Sequence, residues 1–108
     1  MKRFLVLSLA LCLPLAVQAR GNPESGKAKA AQVCATCHGP EGNKPSAPDQ
    51  PILAGQHYDY LVRALTDYKI GRRNNPIMKG FAAQLSRRDI EDLAAWFSSR
   101  ESSLRDAR

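Results

Sequence analysis

Two cysteines and a histidine within five residues, Cys34-Ala35-Thr36-Cys37-His38, set the strongest limit on how this 108-residue chain folds. The chain has three cysteines, and the third, Cys12, lies in an N-terminal segment that we expect to be removed. A disulfide between Cys34 and Cys37 would close a very small loop and would restrict the unfolded chain little. The pair therefore indicates a redox, metal or cofactor site rather than a structural disulfide.

The N-terminus has the pattern of a secretory signal peptide. Lys2 and Arg3 precede an apolar run from Phe4 to Val17, which ends in the small-residue sequence Val17-Gln18-Ala19. The run is shorter than the roughly 20 residues that span a bilayer. We predict that residues 1–19 are a cleaved signal peptide and that residues 20–108 form one domain in the periplasm. An uncleaved N-terminal anchor is the alternative.

The predicted domain has few hydrophobic residues with which to form a core. Hydrophobic residues make up 44% of the chain, but many of them fall within residues 1–19. A domain of this length buries only about 60–65% of its surface on folding. We therefore expect a disulfide framework, a metal or a bulky cofactor to complete the core, and the first is unavailable to a single close pair of cysteines.

The spacing of the motif suits the covalent attachment of a haem. On a helical turn both thiols lie on one face, about 5–6 Å apart, which matches thioether bonds to the two vinyl groups of one porphyrin. His38 follows at once and can bind the iron from the proximal side. A thioredoxin-like dithiol would need a strand before Cys34, and zinc would need four ligands, for which His57 has no suitable spacing. The sequence predicts one haem c attached through Cys34 and Cys37.

The second axial ligand of the iron is found by elimination. Met and His are the strong candidates, and beyond Met1 and His38 the chain has only Met78 and His57. Met78 follows Pro76, which disfavours regular helix, so we expect it in a loop that reaches the far face of the haem. Met78 is the preferred ligand, with His57 or an open position as alternatives.

The apolar periodicity and the capping residues predict four helical segments and no strand. The first is capped by Asn22 or Ser25, the second is stopped by Gly71, and the last has a capping box. The segments are a helix running to Cys34, a helix from His57 to Ile70, a short turn from Lys79 to Gln84, and a helix that begins at Ser86 with Asp89 three residues on.

The small side chains of Gly26 and Ala30 predict a close crossing of the first and last helices. We expect them to face Leu93 and Trp96 or Phe97, with Trp96 at the edge of the last helix. The apolar residues that we expect near the porphyrin are Leu53, Leu61, Leu65, Phe81 and Phe97.

Taken in order, these residues resemble class I cytochromes c, in particular the short soluble monohaem bacterial c-553 type, and are similar to one half of the dihaem cytochromes c. The resemblance covers nearly all of residues 23–100. A single CxxCH excludes a two-haem function for this chain, and Trp96 stands where Tyr is common. The motifs are Cys34-Ala35-Thr36-Cys37-His38-Gly39 with Gly42, Pro51-Ile52-Leu53-Ala54-Gly55-Gln56, Gly71-Arg72-Arg73-Asn74 ahead of Met78, Leu85-Ser86, Asp89-Ile90 and Leu93-Ala94-Ala95-Trp96-Phe97.

The resemblance implies an all-α class I cytochrome c fold, with three main helices, a short helix and loops wrapped around one haem c. His38 is then the proximal ligand and Met78 the distal one. A backbone carbonyl of the proline-rich loop accepts the Nδ1–H of His38 and orients the ring. We expect it to be that of Pro51, with Pro40, Pro45 and Pro48 as alternatives. Arg73 resembles an arginine that lies beside a haem propionate.

With both axial positions filled, the iron can only change its charge, so we expect an electron carrier and not an enzyme. It would cycle between Fe(III) and Fe(II), from a reductase or dehydrogenase to a terminal oxidase or reductase. The alternatives are a haem sensor or peroxidase-like protein with a labile Met78, and a dedicated electron-transfer subunit of a dehydrogenase complex.

The charge balance bears on the partners of the protein. The net charge of the chain is +6, and removal of Lys2 and Arg3 with the signal peptide lowers it to +4. We expect a monomer that docks on acidic surfaces of redox proteins, without stable membrane insertion. Because the charges are spread and no aromatic platform accompanies them, nucleic-acid binding is not expected. The loop cations that could rim the haem edge are Lys44, Arg72, Arg73 and Lys79.

Overall fold

The computed structural model describes residues 20–103, which contain five α-helices joined by loops and no β-strand. The predicted all-helical class is confirmed. The predicted signal peptide, residues 1–19, lies outside the described residues. None of the helices between residues 20 and 103 has the length and apolar character needed to span a membrane. The helices are α1 (Pro23–Val33), α2 (Ala35–His38), α3 (Tyr58–Ile70), α4 (Pro76–Ala82) and α5 (Arg87–Ser98).

The ends of α1 and α3 follow from local capping chemistry. Asn22, rather than Ser25, caps α1, because its Oδ1 accepts the backbone N–H groups of Glu24 and Ser25 at 2.9 and 3.1 Å. These are donors that a helix leaves unpaired at its start. Helix α3 ends at Gly71, as predicted, where φ is 81°, a left-handed conformation that glycine adopts without steric cost.

Helix α5 begins with the predicted capping box. The Ser86 Oγ accepts the Asp89 N–H at 3.0 Å, and the Asp89 carboxylate accepts the Ser86 N–H at 2.9 Å. The bond from the Ser86 N–H, together with Lys29 at 3.5 Å, lowers the pKa of Asp89. The carboxylate therefore stays ionised, and the box stays closed, throughout the neutral range.

Helix α4 corrects the sequence prediction for the segment around Met78. We expected a loop through Met78 and a helical turn only from Lys79, but the helix runs from Pro76 to Ala82. Proline stands at the first helical position, where its missing N–H would be unpaired in any case and its fixed φ suits the helix. Pro76 therefore starts this helix instead of excluding it, and Met78 lies in the first turn.

The first and last helices cross closely at Gly26, as the sequence indicated, but one of the contacts was not foreseen. A Cβ added to Gly26 would lie 2.0 Å from the backbone oxygen of Asp92 and 2.8 Å from the Cβ of Trp96. The crossing therefore has no room for a side chain at this position. The core cluster beside it consists of Ala30, Leu61, Leu85, Ile90, Leu93, Ala94, Trp96 and Phe97.

Trp96 is buried, with 4% of its surface exposed, although we expected it at the edge of the helix. Its Nε1–H donates a hydrogen bond to the Pro40 carbonyl at 3.0 Å. The guanidinium of Arg100 and the ammonium of Lys27 cover the indole ring at 3.9 and 5.7 Å from its centroid. A polar partner for the ring nitrogen and two cationic covers allow an indole to be buried at a helix crossing.

Replacement of Gly26 by alanine is expected to destabilise the protein by about 2–3 kcal/mol, because the new methyl group would overpack the α1–α5 crossing. Gly80→Ala is the matched control: nothing lies within 4 Å of its would-be Cβ, and alanine should stabilise helix α4 by about 0.5–1 kcal/mol. Denaturant unfolding of the two haem-loaded variants measures both effects. Equal unfolding midpoints would show that the crossing can relax.

Candidate functional site

A cavity of about 400 Å³ lies between the helices and the loop of residues 39–57. All five helices contribute to its wall, α2 through its last two residues, Cys37 and His38. All the site residues predicted from the sequence line this one cavity: Cys34, Cys37, His38, Pro51, Leu53, Arg73 and Met78.

The junction of α1 and α2 turns the three residues of the attachment motif towards the cavity. Helix α1 ends at Val33, and the Cys34 N–H still donates to the Ala30 carbonyl at 2.9 Å. The N–H groups of Cys37 and His38 both donate to the Cys34 carbonyl, at 3.3 and 3.0 Å. This helical turn places both sulfur atoms and the imidazole on the cavity wall, as the spacing predicts.

The imidazole of His38 is oriented by a backbone carbonyl. Its Nδ1 lies 2.9 Å from the Pro51 oxygen, and only 6% of the residue is exposed. Because a carbonyl oxygen can only accept a hydrogen bond, Nδ1 carries the proton. Nε2 is then left with a free lone pair, which is the form of histidine that binds a metal.

The loop that contains Pro51 is tied to the attachment motif. The side-chain oxygen of Gln50 accepts the Ser46 N–H at 2.9 Å and the Ala47 N–H at 3.0 Å. The Cys37 carbonyl oxygen is 2.9 Å from the backbone nitrogen of Ser46 and accepts that N–H as well. These bonds fix the turn before Pro51 relative to α2. Because His38 is the last residue of α2, they also hold the Pro51 carbonyl beside the imidazole of His38.

The surroundings of Cys34 are apolar. Burial raises the pKa of its thiol to about 11, so the sulfur is uncharged at neutral pH. A thioether sulfur has no proton to lose and no charge to solvate. This environment therefore suits a cysteine that is bonded to carbon better than one that must react as a thiolate.

Another part of the lining comes from α4 and from the residues before it. Met78 is half-buried and lines the cavity together with its neighbour Ile77 and with Phe81 and Ala82. Asn75 caps the helix, and its Oδ1 accepts the Met78 N–H at 3.0 Å. His57, the other candidate for the second axial ligand, is exposed at the start of α3 and is not part of the cavity lining.

Arg73 lies on the cavity lining through its contacts with α3. Its guanidinium donates to the Tyr60 hydroxyl at 3.2 Å and stands 4.8 Å from the centroid of the Tyr68 ring. The hydrogen bond to Tyr60 raises the pKa of Arg73 further above its usual value, so the group is a permanent cation. A fixed positive charge at this point can pair with a carboxylate of a bound ligand.

The donor set and the lining fit a haem c. Two sulfur atoms, an imidazole with a free Nε2 and a thioether surround one apolar space, and a cation stands on its lining. The five apolar side chains that we expected near the porphyrin all line the cavity: Leu53, Leu61, Leu65, Phe81 and Phe97.

The roles of Asp92 and Asn75 were not anticipated from the sequence. Asp92 is buried, with 6% exposed, and its Oδ1 accepts the Asn22 N–H at 2.7 Å across the α1–α5 crossing. No local pattern points to a contact between residues 70 positions apart. Asn75 could have been recognised, because Asn75-Pro76 repeats the Asn22-Pro23 sequence that starts α1.

Comparison with known proteins identifies the family. Residues 21–97 match the family model described as cytochrome c oxidase, cbb3-type, subunit III. The chain is 44% identical over 102 residues to cytochrome c4 of Pseudomonas aeruginosa, an alignment that covers 93% of the chain and 50% of that protein. It is 40% identical over 72 residues to the thiosulfate dehydrogenase electron acceptor of Stutzerimonas stutzeri, covering 67% of the chain and 33% of that protein.

The structure gives the same result. The crystal structure of reduced recombinant cytochrome c4 from Pseudomonas stutzeri superimposes with a TM-score of 0.71 and 42% sequence identity, over 78% of this chain and 48% of that chain. The chain spans about half the length of the cytochromes c4 that it matches. From the attachment motif, the fold and these relatives it follows that the chain belongs to the class I c-type cytochromes and carries one haem c bound through Cys34 and Cys37.

Proposed function

We propose that the protein is a one-electron carrier whose haem iron is bound by His38 on one side and by Met78 on the other. The observation that carries this proposal is the placement of an oriented imidazole and a thioether on the lining of one apolar cavity. When bound, the haem supplies reversible exchange between Fe(III) and Fe(II).

The residues of the chain set the conditions for this exchange. The Pro51 carbonyl holds His38 in the tautomer whose Nε2 can bind iron. The Met78 thioether favours the reduced metal. The apolar lining acts in the same direction, because burial in a low-dielectric environment disfavours the state with the additional positive charge. Arg73 is proposed to pair with a propionate.

The partners are proposed to be redox proteins with acidic docking surfaces, and the protein is proposed to act as a monomer in the periplasm after removal of residues 1–19. The positive net charge supports attraction to acidic partners. Transient electron-transfer complexes bury little surface, which suits a carrier that must leave after each transfer. The relative described as a thiosulfate dehydrogenase electron acceptor supports a dehydrogenase as the class of electron donor.

The purified ferric protein is expected to show the thioether-to-iron charge-transfer band in the near infrared, since the proposed Met78 ligation creates it. The ferrous protein is expected to bind carbon monoxide slowly or not at all, because both axial positions are filled. Absorption spectroscopy at neutral pH measures both properties. A missing band together with rapid, stoichiometric binding of carbon monoxide would instead support the sensor or peroxidase-like alternative.

A further inference from the structure

We propose that Asn75 and Lys69 are positioning residues that hold helix α4 at its two ends and thereby keep the Met78 sulfur on the iron. This inference rests on the proposed ligation by Met78 and adds the residues that maintain it. Neither residue is part of the attachment motif, and neither is proposed to bind the iron.

At the N-terminal end, Asn75 binds the ligand residue itself. Its Oδ1 accepts the backbone N–H groups of Met78 at 3.0 Å and of Ile77 at 3.1 Å. Pro76, which lies between Asn75 and Ile77, has a fixed φ and has no N–H group that would need a hydrogen-bond acceptor. The backbone of Met78 is therefore tied directly to the residue that precedes the helix.

At the C-terminal end, the tie comes from another helix. The Lys69 ammonium, in the last turn of α3, donates hydrogen bonds to the Ala83 carbonyl at 3.2 Å and to the Leu85 carbonyl. Ala83 is the C-cap of α4, where carbonyl groups lack partners inside the helix and the helix dipole favours a positive charge. Leu85 lies two residues further along the chain. Lys69 thus joins the end of α4 to the α3 wall of the cavity.

Helix α4 needs such ties because it is short. It has seven residues, well below the roughly 12–15 that make an isolated helix even marginally stable. Its first turn contains Met78, and a helix leaves the N–H groups of its first turn without partners inside the helix. The hydrogen bonds at the two ends of α4 therefore help to hold Met78 in place.

The decisive comparison is Asn75→Ala against Asn22→Ala in the haem-loaded protein. Asn22 is a matched control, because it caps α1 with the same Asn-Pro sequence and accepts two N–H groups at 2.9 and 3.1 Å. Both variants should lose similar amounts of stability against denaturant. Only Asn75→Ala should weaken the near-infrared charge-transfer band and raise the affinity of the ferric protein for imidazole, by about tenfold. Asn75→Asp keeps the acceptor and should restore both properties.

Lys69→Met tests the other end without touching either cap. It should also weaken the band and raise the imidazole affinity by about tenfold, while Lys69→Arg, which can still donate to both carbonyls, should remain close to the wild type. Arg63→Met removes a positive charge from an exposed residue of the same helix, one that does not line the cavity, and should change neither property. The comparison of Lys69→Met with Lys69→Arg tests the positioning role even if Asn75→Ala does not retain haem.

The outcomes separate this inference from the proposed function. A wild-type protein without the charge-transfer band would overturn the ligation by Met78 and this inference with it. A normal band in the wild type, unchanged in both Asn75→Ala and Lys69→Met, would overturn the positioning role alone and leave the electron carrier intact.

Discussion

The double replacement of Cys34 and Cys37 by alanine is expected to leave a protein that does not fold cooperatively. Without its covalent haem the domain would retain a cavity of about 400 Å³ between its helices. The apolar side chains that line it would then face water, and each one left uncovered costs up to about 1.5–3 kcal/mol. Because small domains are stable by only about 5–15 kcal/mol in total, the loss is comparable with the whole free energy of unfolding.

Thermal melting followed by far-ultraviolet circular dichroism measures this effect in protein from a host that can attach haem c. Thr36→Ala serves as the control, since Thr36 is an exposed residue within the same motif and its replacement leaves both sulfur atoms in place. A sharp, cooperative melt of the cysteine double variant at room temperature or above would contradict the view that the haem completes the core.

The second large effect is expected from Met78→Ala. The covalent haem should be retained, because the attachment residues are untouched, but the reduction potential should fall by on the order of 0.2 V, as axial-ligand identity changes haem potentials over about 0.8 V. The near-infrared band should disappear, and carbon monoxide should bind quickly to the ferrous protein. Redox titration and absorption spectroscopy measure these changes.

Gly80→Ala is the matched control for this variant. Gly80 lies in the same helix, does not line the cavity and has nothing within 4 Å of its would-be Cβ, so its replacement should leave the potential and the band nearly unchanged. If Met78→Ala kept the wild-type potential and excluded carbon monoxide, then another residue would be the distal ligand, and the arrangement proposed for the iron would be wrong.

The local parts of this molecule are the ones that the sequence predicts well. The attachment motif lies within a single helical turn, so its spacing alone places Cys34, Cys37 and His38 on one wall. The ends of α1, α3 and α5 depend on Asn22, Gly71 and the Ser86–Asp89 box, whose effects reach only three or four residues. Neither kind of inference needs knowledge of distant contacts.

The errors arise where one residue type has two opposite uses or where the partner is distant in sequence. Pro76 breaks a helix interior but favours a helix start, and Asn75 decides between the two. The burial of Trp96 depends on the carbonyl of Pro40, 56 residues away, and that of Asp92 on the N–H of Asn22. The assignments of Met78, Pro51 and Arg73 to a haem remain predictions, although all three residues line the cavity.

The position of Trp96 has a practical consequence for studying this protein. It is the one tryptophan of the chain, and its indole is bonded to the carbonyl of Pro40, two residues after His38. Because the haem attachment motif ends two residues before Pro40, we expect the haem to quench the indole fluorescence by energy transfer while the domain is folded. The fluorescence of Trp96 should therefore rise as the α1–α5 crossing opens, so unfolding can be followed by fluorescence without an added label.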